Sequence, residues 1–181
     1  MKESICGIKI NYEVFGHGRD VLILHGWGAN INAVMPIVKM IEKNFRVWVL
    51  DFPGFGNSEI PPENWDVYSY ADFVCEFVKQ FNIEKPILIG HSFGGRISII
   101  LAAKKLIEIN KIILIDSAGV LPKRGFDYYF KVYTYKCAKF IARAAGKISK
   151  ELENSIKSKF GSGDYKNANP VMRKVFVRVV N

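Results

Sequence analysis

No stretch of this 181-residue chain approaches the roughly 18 consecutive apolar residues of a membrane-spanning helix. The opening Met1-Lys2-Glu3-Ser4-Ile5-Cys6-Gly7 has none of the basic-then-apolar pattern of a secretory signal. Cysteine is scarce as well. Cys6, Cys75 and Cys137 are odd in number, far apart and in no CxxC pair, which argues against a disulfide framework or a zinc site and for reduced, mostly buried thiols in a cytoplasmic protein. No P-loop, GxGxxG or HExxH occurs, so phosphate, dinucleotide and metal binding have no motif behind them, and no cofactor is expected. Histidine occurs only at positions 17, 25 and 91. What remains is ordinary for a globular chain: 49% hydrophobic and 24% charged residues set aside disorder, collagen and coiled coil. The length suits one domain with its own core.

Charge is unevenly distributed. Residues 1–120 carry 12 Lys+Arg against 13 Asp+Glu, a net of −1, whereas residues 121–181 carry 14 against 4, a net of +10. Such a shift marks a change of role and predicts a boundary near residue 120, with a core over 1–120 and a basic segment over 121–181. The basic residues belong to no recognition module and the nearby aromatics fall at core spacing, so nucleic acid is not an expected partner.

Four short apolar runs, Val21-Leu22-Ile23-Leu24, Val47-Trp48-Val49-Leu50, Ile87-Leu88-Ile89 and Ile112-Ile113-Leu114-Ile115, are continuous rather than alternating. That pattern predicts strands covered on both faces. Between them lie helix-period stripes. Ile31, Val34, Met35, Val38 and Ile41 form one, and Phe73, Val74, Phe77, Val78 and Phe81 form a second, with Ser69-Tyr70-Ala71-Asp72 as its expected capping box. A third, with Ile97, Ile100 and Leu101, follows Gly94-Gly95. Strands alternating with such helices predict an α/β fold with a doubly wound, mostly parallel sheet. Period-two alternation between Gly7 and Gly16 adds an antiparallel edge strand. Beyond Val120, Phe126, Phe130, Tyr133, Cys137, Phe140, Ile141 and Ala144 recur every three or four residues, with Lys136, Lys139, Arg143 and Lys147 on a neighbouring face. This predicts a basic amphipathic helix. Val175-Phe176-Val177-Arg178-Val179-Val180 fits either a helix or a strand.

Gly90-His91-Ser92-Phe93-Gly94 is a G-x-S-x-G pentapeptide directly after one apolar run and directly before a helix. In a nucleophile elbow the serine occupies a strained strand-to-helix turn with its Oγ exposed, and the glycines let strand and helix approach closely. Ser92 is therefore the candidate nucleophile. An acyl-transfer serine also needs two N–H donors where the oxyanion develops. The N–H of Phe93, just after the nucleophile, is one candidate; the other is the N–H of Trp27 in the glycine-rich turn Leu24-His25-Gly26-Trp27-Gly28. The turn Asp51-Phe52-Pro53-Gly54-Phe55-Gly56-Asn57-Ser58 reads as a rigid wall of the same site.

In that order, His25-Gly26-Trp27-Gly28, Asp51 to Ser58, Gly90 to Gly95 and Ile115-Asp116-Ser117-Ala118-Gly119 resemble the α/β-hydrolase family over residues 7–120. The lid-bearing branch of small esterases, C–C bond hydrolases and haloperoxidase-like enzymes is the nearest pattern. The resemblance implies a serine hydrolase of ester-like small molecules, carboxylic ester or thioester, with Ser92 as nucleophile, Trp27 and Phe93 as oxyanion donors, and a helical lid after the strand at 112–115. Serine at the nucleophile position argues against the epoxide hydrolase and haloalkane dehalogenase branches.

The departures are specific. The family triad runs Ser, acid, His along the chain, yet no histidine follows Ser92. His91 is adjacent on the elbow and points away, His17 lies in a Gly-rich turn, and His25 is either a base beside Ser92 or a shaper of the oxyanion turn. Asp116, at a strand end, is either the acid or a turn residue. Two expected parallel strands are also missing after the lid, so the chain is expected to be a fragment lacking roughly 60 or more residues and to be inactive as it stands. The alternatives to a serine esterase are a C–C bond hydrolase or a non-catalytic binding member of the fold. The basic face from Lys136 to Lys147 is a solvated surface, a complement to an acidic segment, or an attractor of anionic substrate or membrane. Tyr128, Tyr129, Tyr133 and Tyr135 either line an acyl pocket or pack.

Overall fold

The computed structural model describes residues 1–119, 125, 126, 130, 133, 134 and 168–180. Six strands form one sheet: β1 (Lys2–Ile5), β2 (Ile8–Phe15), β3 (Arg19–Leu24), β4 (Phe45–Leu50), β5 (Ile87–His91) and β6 (Lys111–Ile115), in the order β1-β2-β4-β3-β5-β6. β4, β3, β5 and β6 run parallel, and β2 is antiparallel to both β1 and β4. The strand expected at the edge is thus second from it. The edge is β1, joined to β2 by a two-residue turn at Cys6 and Gly7. Cys6 stands exposed there at φ 52, against the mostly buried thiols expected, while Cys75 is half-buried; Cys137 lies outside the described residues.

The continuous apolar runs of β3, β4 and β5 have the consequence their pattern predicts, whereas β6, expected to be covered on both faces, leaves Ile113, Leu114 and Ile115 43%, 45% and 38% exposed because, among the described residues, only β5 pairs with it. Within β3, Leu22 and Leu24 enter one core, with α2 (Val67–Gln80), α3 (Phe93–Ala103) and α4 (Pro170–Val180), while Val21 and Ile23 enter the other, under α1 (Ile31–Ile41). The sheet is therefore covered on both faces, a doubly wound α/β arrangement. α2 starts earlier than the expected cap. Asp66 is its N-cap, accepting from the Ser69 N–H at 2.9 Å while the Ser69 hydroxyl accepts from the Asp66 N–H at 3.3 Å. The box closes over Asp66 and Ser69 because it requires a capping side chain three residues before its partner. α3 likewise starts at Phe93, ahead of Gly94-Gly95.

Residues 170–180 are helical. Met172, Val175 and Val179, at helical spacing, are 2%, 0% and 3% exposed in the core shared with α2 and α3. Burial of that stripe outweighs the β preference of its valines. It also moves a boundary: one compact unit comprises Met1–Gly119 with Ala168–Asn181, and a second comprises Val120–Asn167. Residues 168–181, expected to belong with the basic segment, pack with the core instead. In the second unit the Phe126 and Phe130 rings stack at 6.4 Å, and the Thr134 hydroxyl donates to the Phe130 carbonyl at 2.9 Å. Lys136, Lys139, Arg143, Lys147, Tyr128, Tyr129 and Tyr135 lie outside the described residues. No helix among the described residues is long and apolar enough to cross a membrane.

Two buried carboxylates pin the strand ends. Asp20 at the start of β3 accepts from Arg46 Nε at 2.5 Å and Nη2 at 2.7 Å, and from Trp48 Nε1 at 2.7 Å. Burial pushes its carboxyl pKa up, but these hydrogen bonds outweigh that and hold it below the usual carboxylate value. Asp51, 2% exposed just past β4, accepts from the Ile31 N–H at 2.8 Å, the Asn57 N–H at 2.8 Å and Asn11 Nδ2 at 2.9 Å. One side chain thus ties β2, the start of α1 and the 51–58 turn together. Asp51→Ala is expected to cost about 3 kcal/mol or more in urea unfolding, because it leaves three donors without their acceptor at about 1–3 kcal/mol each. A loss under about 1 kcal/mol would show that other contacts hold these loops.

Candidate active site

The carboxyl ends of β3 and β5 lie side by side, with β4 and β6 flanking them. This is where crevices open in parallel sheets. Ser92 follows β5 at φ 47, ψ −106, a conformation that costs a non-glycine residue about 1–3 kcal/mol. Four backbone hydrogen bonds hold it there. The Ser92 N–H donates to the Ile115 carbonyl at 3.0 Å, the Ser92 carbonyl accepts from Arg96 and Ala118 at 3.1 Å each, and the Gly94 N–H donates to the His25 carbonyl at 3.1 Å. The Ser92 hydroxyl makes no capping hydrogen bond to α3, and the residue is partly exposed.

The flanking glycines are sterically required. A β-carbon on Gly90 would stand 2.6 Å from Cα of Gly95, and one on Gly94 would stand 2.5 Å from the carbonyl carbon of Leu24. Gly94 therefore relieves a contact with β3 rather than with its own strand.

On the facing turn, Trp27 and Phe93 pack ring to ring at 5.3 Å and 81°. Among the described residues neither backbone N–H donates to another backbone group. Trp27 also meets Phe55 at 4.8 Å and Phe176 of α4 at 5.2 Å. The sequence pattern puts Phe176 and Met172 on a candidate helix but gives neither a place at the site. Their helical spacing with Val175 and Val179 was visible, but nothing in the chain pairs that helix with a turn far upstream.

His25 is 1% exposed, and both ring nitrogens are engaged. Nε2 accepts from the Phe52 N–H at 3.0 Å, which requires the neutral ring to carry its proton on Nδ1, and Nδ1 donates to the Gly26 carbonyl at 2.7 Å. Of its two sequence readings, the geometry fits the shaper of the turn, because no lone pair is left to take a proton from Ser92. Burial pushes its pKa below the ordinary 6.5, with His91 acting in the same direction and the Gly26 carbonyl and Asp51 opposing. His17 and His91 are exposed, and the His91 ring lies against Gly26, whose added β-carbon would meet Nδ1 at 2.8 Å. Asp116 is exposed at φ 43, immediately after the carbonyl that holds the Ser92 N–H.

Residues 21–173 match the family model described as the alpha/beta hydrolase fold. The chain belongs to the alpha/beta hydrolase family. Among its relatives, a pimeloyl-[acyl-carrier protein] methyl ester esterase of Pseudoalteromonas atlantica is 35% identical over 114 residues, covering 62% of this chain and 42% of the relative. A serine hydrolase-like protein of Danio rerio is 30% identical over 126 residues, covering 67% and 38%. Among solved structures, a bacterial membrane phospholipase A superposes with a TM-score of 0.65 at 29% identity, covering 69% of this chain and 41% of that one. An esterase from Exiguobacterium antarcticum does so at 0.62 and 29%, covering 68% and 47%. This alpha/beta hydrolase thus spans less than half the length of each of these proteins.

Because the folded state of this alpha/beta hydrolase holds His25 neutral below its ordinary pKa, unfolding takes up a proton beneath about pH 6.5. Stability then rises with pH through that window and falls as acid is added. One proton sets about 1.4 kcal/mol per pH unit as the upper bound of that slope below about pH 6.5, and His25→Gln should flatten it. Equal slopes in chemical denaturation of both proteins would assign the dependence to other groups.

Proposed function

We propose that the protein is a serine hydrolase acting on a small-molecule carboxylic ester or thioester through an acyl-enzyme on Ser92. The observation that carries this reading is the strained backbone of Ser92 at the β5–α3 turn, with a side chain not used to cap the helix. Such strain persists only where surrounding structure enforces it, as the four hydrogen bonds around Ser92 do. In the proposed reaction the Ser92 Oγ attacks the substrate carbonyl, and the N–H groups of Trp27 and Phe93 receive the developing oxyanion. The alcohol or thiol leaves, and water then releases the acid from the ester on Ser92. The relatives named as esterases support ester-like substrates.

Asp116 is the candidate acid, by its place beside the elbow, and residues 120–167 are the candidate lid. No histidine follows Ser92 and both His25 nitrogens are engaged, so this chain by itself should turn over slowly. A triad without its base retains only about 10³–10⁴-fold over water. The engagement of both His25 nitrogens favours a second reading, a non-catalytic binding member of the fold.

Prolonged incubation with a fluorophosphonate probe separates the two. In the full-length protein, labelling that disappears in Ser92→Ala is expected. An unlabelled wild type, or labelling that survives Ser92→Ala, would overturn the serine hydrolase reading in favour of the binding module.

A further inference from the structure

Three separate parts of the site meet on α4. Near its start Met172, 2% exposed, packs into the space above Gly54, where an added β-carbon would stand 2.5 Å from Met172 Cε, and Lys174 pairs with Glu63 of the following loop. In its middle, the Phe176 ring meets Trp27 at 5.2 Å and 62°. At its end, the Val179 carbonyl accepts from Arg96 Nη1 at 2.5 Å, and the backbone N–H of that same Arg96 donates to the Ser92 carbonyl. A helix end leaves its last carbonyls without intrahelical partners, so Arg96 both satisfies one of them and joins α4 to the elbow helix.

The Trp27 indole is correspondingly held by three rings from three elements: Phe55 of the 51–58 turn, Phe93 of the elbow and Phe176 of α4. Edge-to-face pairs have preferred directions as well as buried area. An indole held from three sides therefore leaves little freedom to the backbone that carries it.

We propose that α4 fixes the geometry of the oxyanion turn, with Phe176 as the positioning residue that holds Trp27 against Phe93. This rests on the serine hydrolase reading, since the two N–H groups matter only if an oxyanion forms at Ser92. Phe176 acts through the Trp27 ring. Such an arrangement makes oxyanion stabilisation conditional on a docked α4, because a displacement of about 1 Å in a positioned group suffices to lose about 10²-fold.

Phenylboronic acid reads the donors without requiring a histidine. An oxygen lone pair of Ser92 Oγ forms a bond to boron, the hydroxyl proton passes to water, and boron becomes a tetrahedral anion with no bond of the boronic acid broken. Titration followed by ¹¹B NMR gives the dissociation constant of that adduct, and thermal melts report folding. In Phe176→Ala the constant should rise about tenfold or more, toward the 10²–10³ typical of a lost oxyanion donor. Phe176→Tyr, which restores the ring, and Lys174→Ala, which breaks a contact of α4 away from Trp27, should stay within about twofold. If Phe176→Ala does not fold, Phe176→Leu carries the comparison. A folded Phe176→Ala or Phe176→Leu protein that binds the boronate as wild type does, while Ser92→Ala abolishes the adduct, overturns this inference alone. A wild-type chain with no adduct, or one that survives Ser92→Ala, overturns the serine hydrolase reading and this inference with it.

Discussion

Between β5 and α3 there is no room for a side chain. Gly90 faces the backbone of Gly95, Gly94 faces the carbonyl of Leu24 on β3, and Gly95 faces Ser117, whose Cβ would stand 2.7 Å from an added methyl. The chain turns from strand to helix within this gap, and the residue at the corner, Ser92, is left in a backbone conformation that it would not adopt alone. Everything else in the site is placed with respect to that corner. The β3 turn is joined to it by the bond from Gly94 to His25, and the β6 turn by the bonds at Ile115 and Ala118. Strain of this kind is stable only when several elements share it.

The elements around the elbow are held by buried side chains other than the candidate nucleophile and donors. His25 uses both nitrogens, one on the Gly26 carbonyl of its own turn and one on the Phe52 N–H. Asp51 collects donors from three elements, and the Tyr70 hydroxyl of α2 donates to the Pro53 carbonyl at 2.9 Å. The aromatic rings of Phe52, Phe93 and Tyr70 then fill the space under the turn, each meeting the next at 5.1–5.8 Å. Buried polar groups in such surroundings are costly unless paired, and among the described residues no buried side-chain nitrogen or oxygen lacks a partner. The result is a site whose backbone donors are set by packing on one side and by hydrogen bonds on the other.

Much of this was legible beforehand where a local rule has one physical solution. Continuous Val/Ile runs favour strands covered on both faces, and β3, β4 and β5 are so covered, whereas β6 at the sheet edge is not. The pentapeptide around Ser92 placed a strand, a turn and a helix because no other local structure needs glycine at both flanks and a small polar residue between. Local rules misplaced what depends on neighbours. The α2 cap fell at Asp66 rather than Ser69, since several polar residues near a helix start can serve. Cys6 turned out exposed because β1 and β2 pair with only two residues between them, which the alternation of β2 did not disclose.

The sequence by itself determined the α/β class, the parallel strands, the elbow and the candidate donors, all of which follow from periodicity and from glycine placed within a few residues of serine. Tertiary structure decided two things. It resolved residues 170–180 as a helix and seated them on the core, because burying Met172, Val175 and Val179 outweighs the intrinsic preference of β-branched residues. It also decided between the two readings of His25 in favour of the shaper of the turn, because only the folded chain brings the Phe52 N–H and the Gly26 carbonyl to its two nitrogens. Both outcomes depend on contacts between residues far apart or on the direction of a single ring, and neither leaves a periodic trace in the chain.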